Sequence, residues 1–229
     1  MNHTIKATAI AIGIFLLAMM VDIGLRMAAP AAVEAHPWLE QFALKTALAG
    51  LSLVAMRLFT GGLRPSGFQR PTKKVRWLPV WAPALGMGAL ATVLVLGAGK
   101  HGLNSIFASY GFAGIVFWVW FYSSVTEEIF VRGWFQTYVA QGAGPEVAAS
   151  ALLFGAMHIG LIRKVDPWSV TVIVCCAILL GWIAAKLRRE YASLLPAIVA
   201  HMSFNVGGAV GGILFAIVYR IRTGHLPLQ

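Results

Sequence analysis

Two adjacent glutamates, Glu127 and Glu128, lie inside an apolar segment with the sequence IVFWVWFYSSVTEEIFVRGWF. A carboxylate is energetically costly inside a membrane, so an acidic residue in such a segment indicates a functional site. Arg132 follows Glu128 by four residues, a spacing that favours an ion pair within one helix. Glu127 points about 100° away on the same helix and lacks that partner. We therefore interpret Glu128 as structurally paired and Glu127 as the carboxylate available for chemistry.

Three further polar side chains lie in other apolar segments. His158 occurs in LLFGAMHIG, and His201 and Asn205 occur in AIVAHMSFNVGG. His201 and Asn205 are four residues apart, so they share one face of a helix. A lone histidine in an apolar helix is more often a hydrogen-bonded core residue than a catalyst. Because unpaired polar groups are costly in lipid, we nevertheless expect the three segments to turn these groups toward each other.

A carboxylate, two imidazoles and an amide allow two kinds of hydrolysis. In the first, Glu127 takes a proton from water, a histidine positions that water, and a histidine and an asparagine donate hydrogen bonds to an oxyanion. In the second, Glu127, His158 and His201 bind zinc and leave one position open for water. Both interpretations predict cleavage of an amide bond within or near the membrane, and the residues themselves leave the choice open.

The signatures of other hydrolases are missing from the chain. It contains no HExxH motif, which excludes that zinc signature, and no GxSxG nucleophile motif. The two aspartates, Asp22 and Asp166, both lie away from the middle of an apolar segment. The sequence therefore does not support an intramembrane aspartyl protease.

The elements that position these residues follow from composition. The chain has 229 residues, of which 59% are hydrophobic and 11% charged, whereas soluble domains average about 25% charged residues. The sequence therefore predicts an all-α, polytopic membrane helix bundle of about eight transmembrane helices, forming one domain over residues 1–229. The predicted spans are Ala7–Gly24, Phe42–Phe59, Leu78–Gly99, Gly111–Phe130, Glu146–Gly160, Pro167–Lys186, Tyr191–Val206 and Gly207–Tyr219.

The net charge of +10 has a topological explanation. No soluble basic module is present, so we exclude nucleic acid as a partner and expect contact with membrane lipids. Basic residues cluster at 64–76, 186–189 and 220–222. An even number of spans between these clusters places all three, and both termini, in the cytoplasm. We predict an integral protein of the inner membrane of a bacterial cell.

The first span has a competing interpretation. Lys6, a short apolar core and a tract of small residues are also typical of a signal peptide. Asp22 and Arg26 lie between that core and the candidate cleavage sites, which favours a retained helix. The last span begins with four glycines in the sequence GGAVGG, a pattern that predicts close packing against a neighbouring helix.

Three motifs carry a resemblance to a known family. The chain has EExxxR at 127–132, FxxxH at 154–158 and HxxxN at 201–205. In this order on three of the apolar spans, they resemble the CAAX protease and bacteriocin-processing family of intramembrane proteases. This family is also called the Abi family, and its best-known branch is the Rce1-type prenyl-protein endopeptidase. The resemblance covers about residues 111–210, the expected protease core.

The resemblance implies a bundle of about eight helices around a conical cavity that opens to the cytoplasm and to lipid. It implies that Glu127 and His158 activate water, that His201 and Asn205 stabilise the oxyanion, and that Glu128 and Arg132 support the site. The implied substrate is a prenylated protein or another membrane-associated peptide. The motifs do not decide between a metal-free mechanism and a zinc mechanism.

Two other functions fit a bundle with these residues. A non-catalytic scaffold or bacteriocin-immunity protein would keep the fold and the motifs but act by binding. A proton-coupled transporter would use Glu127 and Glu128 as a relay and would show a repeat in its second half, which this sequence lacks. Turnover of a peptide separates the endopeptidase from both.

Overall fold

The structure is a computed structural model that describes residues 3–36, 38–100, 111–140 and 145–224. Over these ranges the chain is helical and contains no β-strand. The helices are α1 (His3–Ala28), α2 (Pro30–Ala35), α3 (Trp38–Thr60), α4 (Trp77–Gly97), α5 (residues 111–139), α6 (Glu146–Ala156), α7 (Pro167–Tyr191) and α8 (Leu195–Thr223). Short 3-10 turns follow α3 at Arg64–Ser66 and α6 at Ile159–Arg163.

The predicted all-α membrane bundle is confirmed. Within the described ranges, five helices are long and apolar enough to cross a membrane, and these are α1, α3, α4, α7 and α8. A crossing of the hydrocarbon core needs about 20 apolar residues. The protein is therefore an integral membrane protein whose polar site residues lie among apolar helices.

Helix α5 combines two helical geometries. It is α-helical at Gly111–Gly114 and Ser124–Glu128, and it has the wider π-helical winding at Ile115–Ser123 and Ile129–Val139. The predicted end of this span at Phe130 is wrong, because the helix continues to Val139. π-Helical segments occur frequently at functional sites. Both adjacent glutamates lie in the short α-helical segment between the two wider ones.

The predicted boundary between Val206 and Gly207 is also wrong. Both predicted spans form one continuous helix, α8, because the glycines do not break the helix where they pack against α4. A Cβ atom on Gly207 would clash with the backbone carbonyl of Leu85, and one on Gly211 would clash with that of Ala89. The predicted close packing of small residues is therefore confirmed.

A single helix at this place changes the topology. Contacts of Leu85 with Gly207 and of Ala89 with Gly211 show that α4 and α8 run in the same direction. The start of α8 lies against the basic loop after α3, since the Leu194 N–H donates to the Gly67 carbonyl at 3.0 Å. The end of α8, including Arg220, therefore lies at the other end of the bundle. Two predicted spans are thus replaced by one helix, α8. The prediction that both termini are cytoplasmic required an even number of spans and does not fit this arrangement.

Helix α1 packs into the bundle through a face of small residues. Ala7, Ala11, Ile14 and Ala18 are buried and recur at intervals of three or four residues, which places them on one side of the helix. This face contacts α3 and the second half of α5. The other side of α1 is largely exposed apolar surface, as expected for a helix that faces lipid.

Packing at the α4–α8 interface predicts that replacement by alanine lowers stability at Gly207 but not at Gly212. We expect Gly207→Ala to lower stability by about 1–3 kcal/mol, because the new methyl group must displace the backbone of α4. Gly212→Ala is the matched control, since its nearest neighbour would be a Thr92 methyl carbon at 3.9 Å. Thermal unfolding of the two purified variants measures the difference. Equal stability of the two variants would contradict the close approach of α4 and α8.

Candidate active site

The predicted site residues converge where α5 meets α3, α6 and α8. His201 lies between the two glutamates of α5, with its Nδ1 atom 3.1 Å from Oε1 of Glu128. Its Nε2 atom lies 3.9 Å from Oε2 of Glu127. All three side chains are buried. The structure therefore brings the EExxxR and HxxxN motifs into one cluster.

Glu128 and Arg132 form the predicted ion pair and are completely buried. Arg132 donates from Nη1 to Oε1 of Glu128 at 3.1 Å and from Nη2 to the carbonyl of Gly181 at 2.9 Å. Its guanidinium lies 4.5 Å from the centre of the Phe154 ring, which adds a cation–π contact. The ion pair thus links α5 to both α6 and α7.

Glu128 also binds a second partner that helical spacing did not reveal. Since a carboxylate only accepts, the 3.1 Å contact with His201 is a hydrogen bond donated by the imidazole Nδ1–H. This bond fixes the orientation of the ring and directs Nε2 toward Glu127. Glu128 therefore orients His201 in addition to pairing with Arg132.

Glu127 does not pair with Arg132, and its cationic partner comes from another helix. Lys45 of α3 lies with Nζ 2.7 Å from Oε1 of Glu127, and Ser123 donates its hydroxyl to the same oxygen at 2.7 Å. The lysine ammonium also donates to the Ser123 hydroxyl. Helical spacing shows only that Glu127 does not face Arg132 on its own helix. It gives no information about Lys45, which lies on α3.

Lys45 is the site residue that the sequence interpretation missed. It lies outside the three motifs, within the apolar run FALKTALAGL of the second predicted span. A lysine inside a membrane span is as informative as a glutamate there, because its burial requires a partner. That signal was present in the sequence, but it does not say which acid Lys45 contacts.

The second oxygen of Glu127 has a different environment. Oε2 is buried and has no hydrogen-bond partner among the described residues. At 3.9 Å, His201 Nε2 is too distant for a direct hydrogen bond and at a separation that one water molecule can bridge. With Nδ1–H directed to Glu128, a neutral His201 has its lone pair at Nε2. A bridging water would then donate to both His201 and Glu127.

His158 follows α6 and lies beside the same cluster. Its Nδ1–H donates to the Phe154 carbonyl at 2.8 Å, so its Nε2 atom is available for other interactions. The Phe154 ring contacts both imidazoles, with centroid distances of 5.1 Å to His158 and 5.2 Å to His201. The phenylalanine of FxxxH therefore packs against both histidines and also against the Arg132 guanidinium.

Asn205 is tied to α5 by its amide nitrogen. As oriented, the side chain donates to the Val119 carbonyl and to the Ser124 hydroxyl, both at 3.0 Å. Both N–H groups are thereby used, and Ser124 donates in turn to the Trp120 carbonyl. In this geometry Asn205 joins α8 to α5 and does not direct an N–H toward Glu127.

The predicted zinc ligands are not assembled into a metal site. Within the described ranges, no three histidine, cysteine, aspartate or glutamate side chains are arranged to hold a metal ion. Both histidines do bond through Nδ1 to an acceptor, which is the arrangement that also orients zinc ligands. However, the Lys45 ammonium is bound to Glu127, and the arrangement as a whole does not fit a zinc ion.

Comparison with known proteins adds one finding. Residues 109–207 match the family described as Rce1-like, type II CAAX prenyl endopeptidase. All three motifs lie inside the matched region, whereas Lys45 lies before it. No curated protein and no solved structure matches the chain.

The buried ion pair predicts a large stability effect. We expect Glu128→Ala to destabilise the protein by about 3–5 kcal/mol, because it leaves the Arg132 guanidinium buried without its counter-charge. It should also lower activity, since His201 loses its orienting acceptor. Arg189→Gln is the control, because Arg189 is 60% exposed and lies 3.9 Å from Glu146. Thermal unfolding measures the stability of both variants. A Glu128→Ala protein as stable as Arg189→Gln would refute the role of Glu128 as the counter-charge of Arg132.

Proposed function

We propose that this chain, whose residues 109–207 match the Rce1-like family of type II CAAX prenyl endopeptidases, is an intramembrane endopeptidase that uses Glu127 to activate water. One observation carries the proposal. Oε1 of Glu127 is bound by Lys45 and Ser123, whereas Oε2 is buried without a partner and faces Nε2 of His201 at 3.9 Å. Two acceptors at this separation are suited to hold and polarise one water molecule.

The first step is attack of this water on the scissile carbonyl. Oε2 of Glu127 takes one proton as the water O–H bond breaks, and the water oxygen forms a bond to the carbonyl carbon. The electron pair of the C=O bond moves to its oxygen and produces a tetrahedral oxyanion. His158, which packs on the same Phe154 ring as His201, assists by positioning the water or relaying the proton.

The second step needs a donor for the oxyanion and a proton for the leaving amine. His201 presents an Nε2–H to the oxyanion after Glu127 passes it the proton taken from the water, and it keeps its Nδ1–H bond to Glu128. Asn205 contributes an N–H only after it releases Val119 or Ser124, so its predicted oxyanion role requires movement. The C–N bond then breaks, and the amine nitrogen takes this proton from His201, which returns to its neutral form.

The proposed substrate is a prenylated or otherwise membrane-associated peptide. The family description supports a prenylated substrate, and a site buried among membrane helices supports a substrate that partitions into lipid. We place the protein in the inner membrane of a bacterium. The basic loop at residues 61–76 and the basic residues ending α7 lie at one end of the bundle, which we orient toward the cytoplasm.

We expect Glu127→Gln and His158→Ala to abolish cleavage of a farnesylated CAAX peptide. Loss of a general base lowers the rate by about 100-fold or more, and neither change removes a large part of the core. Glu146→Gln and His36→Ala are matched controls, because both residues lie outside the cluster. Product formation by purified protein in nanodiscs measures the rate. Cleavage by both site variants at the control rate would refute the proposed function.

Chelation separates the two hydrolytic mechanisms. A metal-free Glu127 mechanism predicts that cleavage continues at the same rate after treatment with 1,10-phenanthroline and removal of the chelator. A zinc mechanism predicts loss of cleavage and its return on addition of Zn²⁺. Elemental analysis of the purified protein provides an independent readout. Zinc-restored activity together with one bound zinc per chain would replace the metal-free mechanism.

A further inference from the structure

Lys45 makes two contacts with α5, one to Oε1 of Glu127 and one to the Ser123 hydroxyl. Its ammonium lies 2.7 Å from Oε1 and also donates to the Ser123 hydroxyl, which itself donates to Oε1. Only 18% of the Lys45 side chain is exposed. Lys45 lies on α3, before the residues that match the family.

The two oxygens of Glu127 have different surroundings. Here both donors bind Oε1, while Oε2 has no partner among the described residues and faces His201. A carboxylate bound in this way cannot rotate about its terminal bond without breaking two hydrogen bonds. The cation therefore fixes which oxygen of Glu127 faces His201.

The position of Lys45 is itself fixed by neighbouring contacts along the α3–α5 interface. Trp38 and Phe42 precede Lys45 on α3 and pack against Trp118, with ring centroids 4.9 Å and 5.1 Å away. Thr46 and Tyr122 form a hydrogen bond between the same helices. A shift of Lys45 along α5 would disrupt all of these contacts.

We propose that Lys45 is a positioning residue that holds Oε1 of Glu127 so that Oε2 accepts the proton of the attacking water. The inference rests on the proposed endopeptidase function. Lys45 keeps its own proton throughout: the water O–H bond breaks, the proton moves to Oε2, and the water oxygen bonds to the carbonyl carbon. Lys45 acts through Glu127 and touches neither water nor substrate.

Kinetics of Lys45 variants test this role. We expect Lys45→Met to lower kcat by about 100-fold with little change in KM, because misplacement of a catalytic group by about 1 Å has an effect of that size. Lys45→Arg should recover most of the loss, since it keeps the charge and the donors. Lys164→Met is the control, because Lys164 is 49% exposed and contacts Glu40 instead. A kcat of Lys45→Met equal to that of the control would overturn the proposal, as would an equal loss in Lys45→Arg.

A double-mutant cycle tests the contact without turnover. Lys45→Met should lower the thermal unfolding temperature of the wild-type protein, because Glu127 loses its counter-charge, and should not lower it in a Glu127→Gln background, where Lys45 is itself the charge without a partner. An equal decrease in both backgrounds would overturn the pairing of Lys45 with Glu127. A wild-type protein that cleaves no peptide but shows this coupling would refute the endopeptidase function and, with it, the catalytic role of Lys45, while retaining the ion pair.

Discussion

The site depends on the burial of two neighbouring carboxylates among apolar helices. Glu128 has a counter-charge on its own helix, Arg132, and Glu127 has one on α3, Lys45. Two negative and two positive charges thus form a neutral cluster, and removal of any one would leave a buried charge without a partner. Because the two cations come from different helices, charge balance also fixes how α3 is placed relative to α5.

Close helix packing makes this cluster possible. A Cβ atom on Gly181 would lie 2.9 Å from the Cα atom of Ala151, so α6 and α7 approach each other closely where Arg132 donates to the Gly181 carbonyl. The glycine contacts of α4 and α8 hold the helix that carries His201. Small residues at these interfaces provide the close approach that helix association in membranes requires. The site therefore depends on the packing of α4, α6, α7 and α8 as well as on α3 and α5, which carry its charged side chains.

The sequence predicted the features that depend on spacing within one helix. These features are the Glu128–Arg132 pair and the glycine face of α8. Contacts of Lys45 with Glu127 and of Glu128 with His201 depend on which helices pack together, and local periodicity does not contain that information. The boundary predicted at Gly207 was wrong because glycine weakens a helix only slightly, and packing against α4 outweighs that preference.

The position of Lys45 affects how a metal ion could bind Glu127. A divalent cation at Glu127 and the Lys45 ammonium would neutralise the same carboxylate, so full binding of one opposes binding of the other. With Lys45 bound, Glu127 directs one oxygen toward His201, and that arrangement suits proton transfer from water. A metal bound by Glu127, His158 and His201 would have to bind Oε2 beside the Lys45 ammonium on Oε1, or displace Lys45 from the carboxylate. The charge balance at Glu127 therefore includes a residue on α3, outside all three motifs.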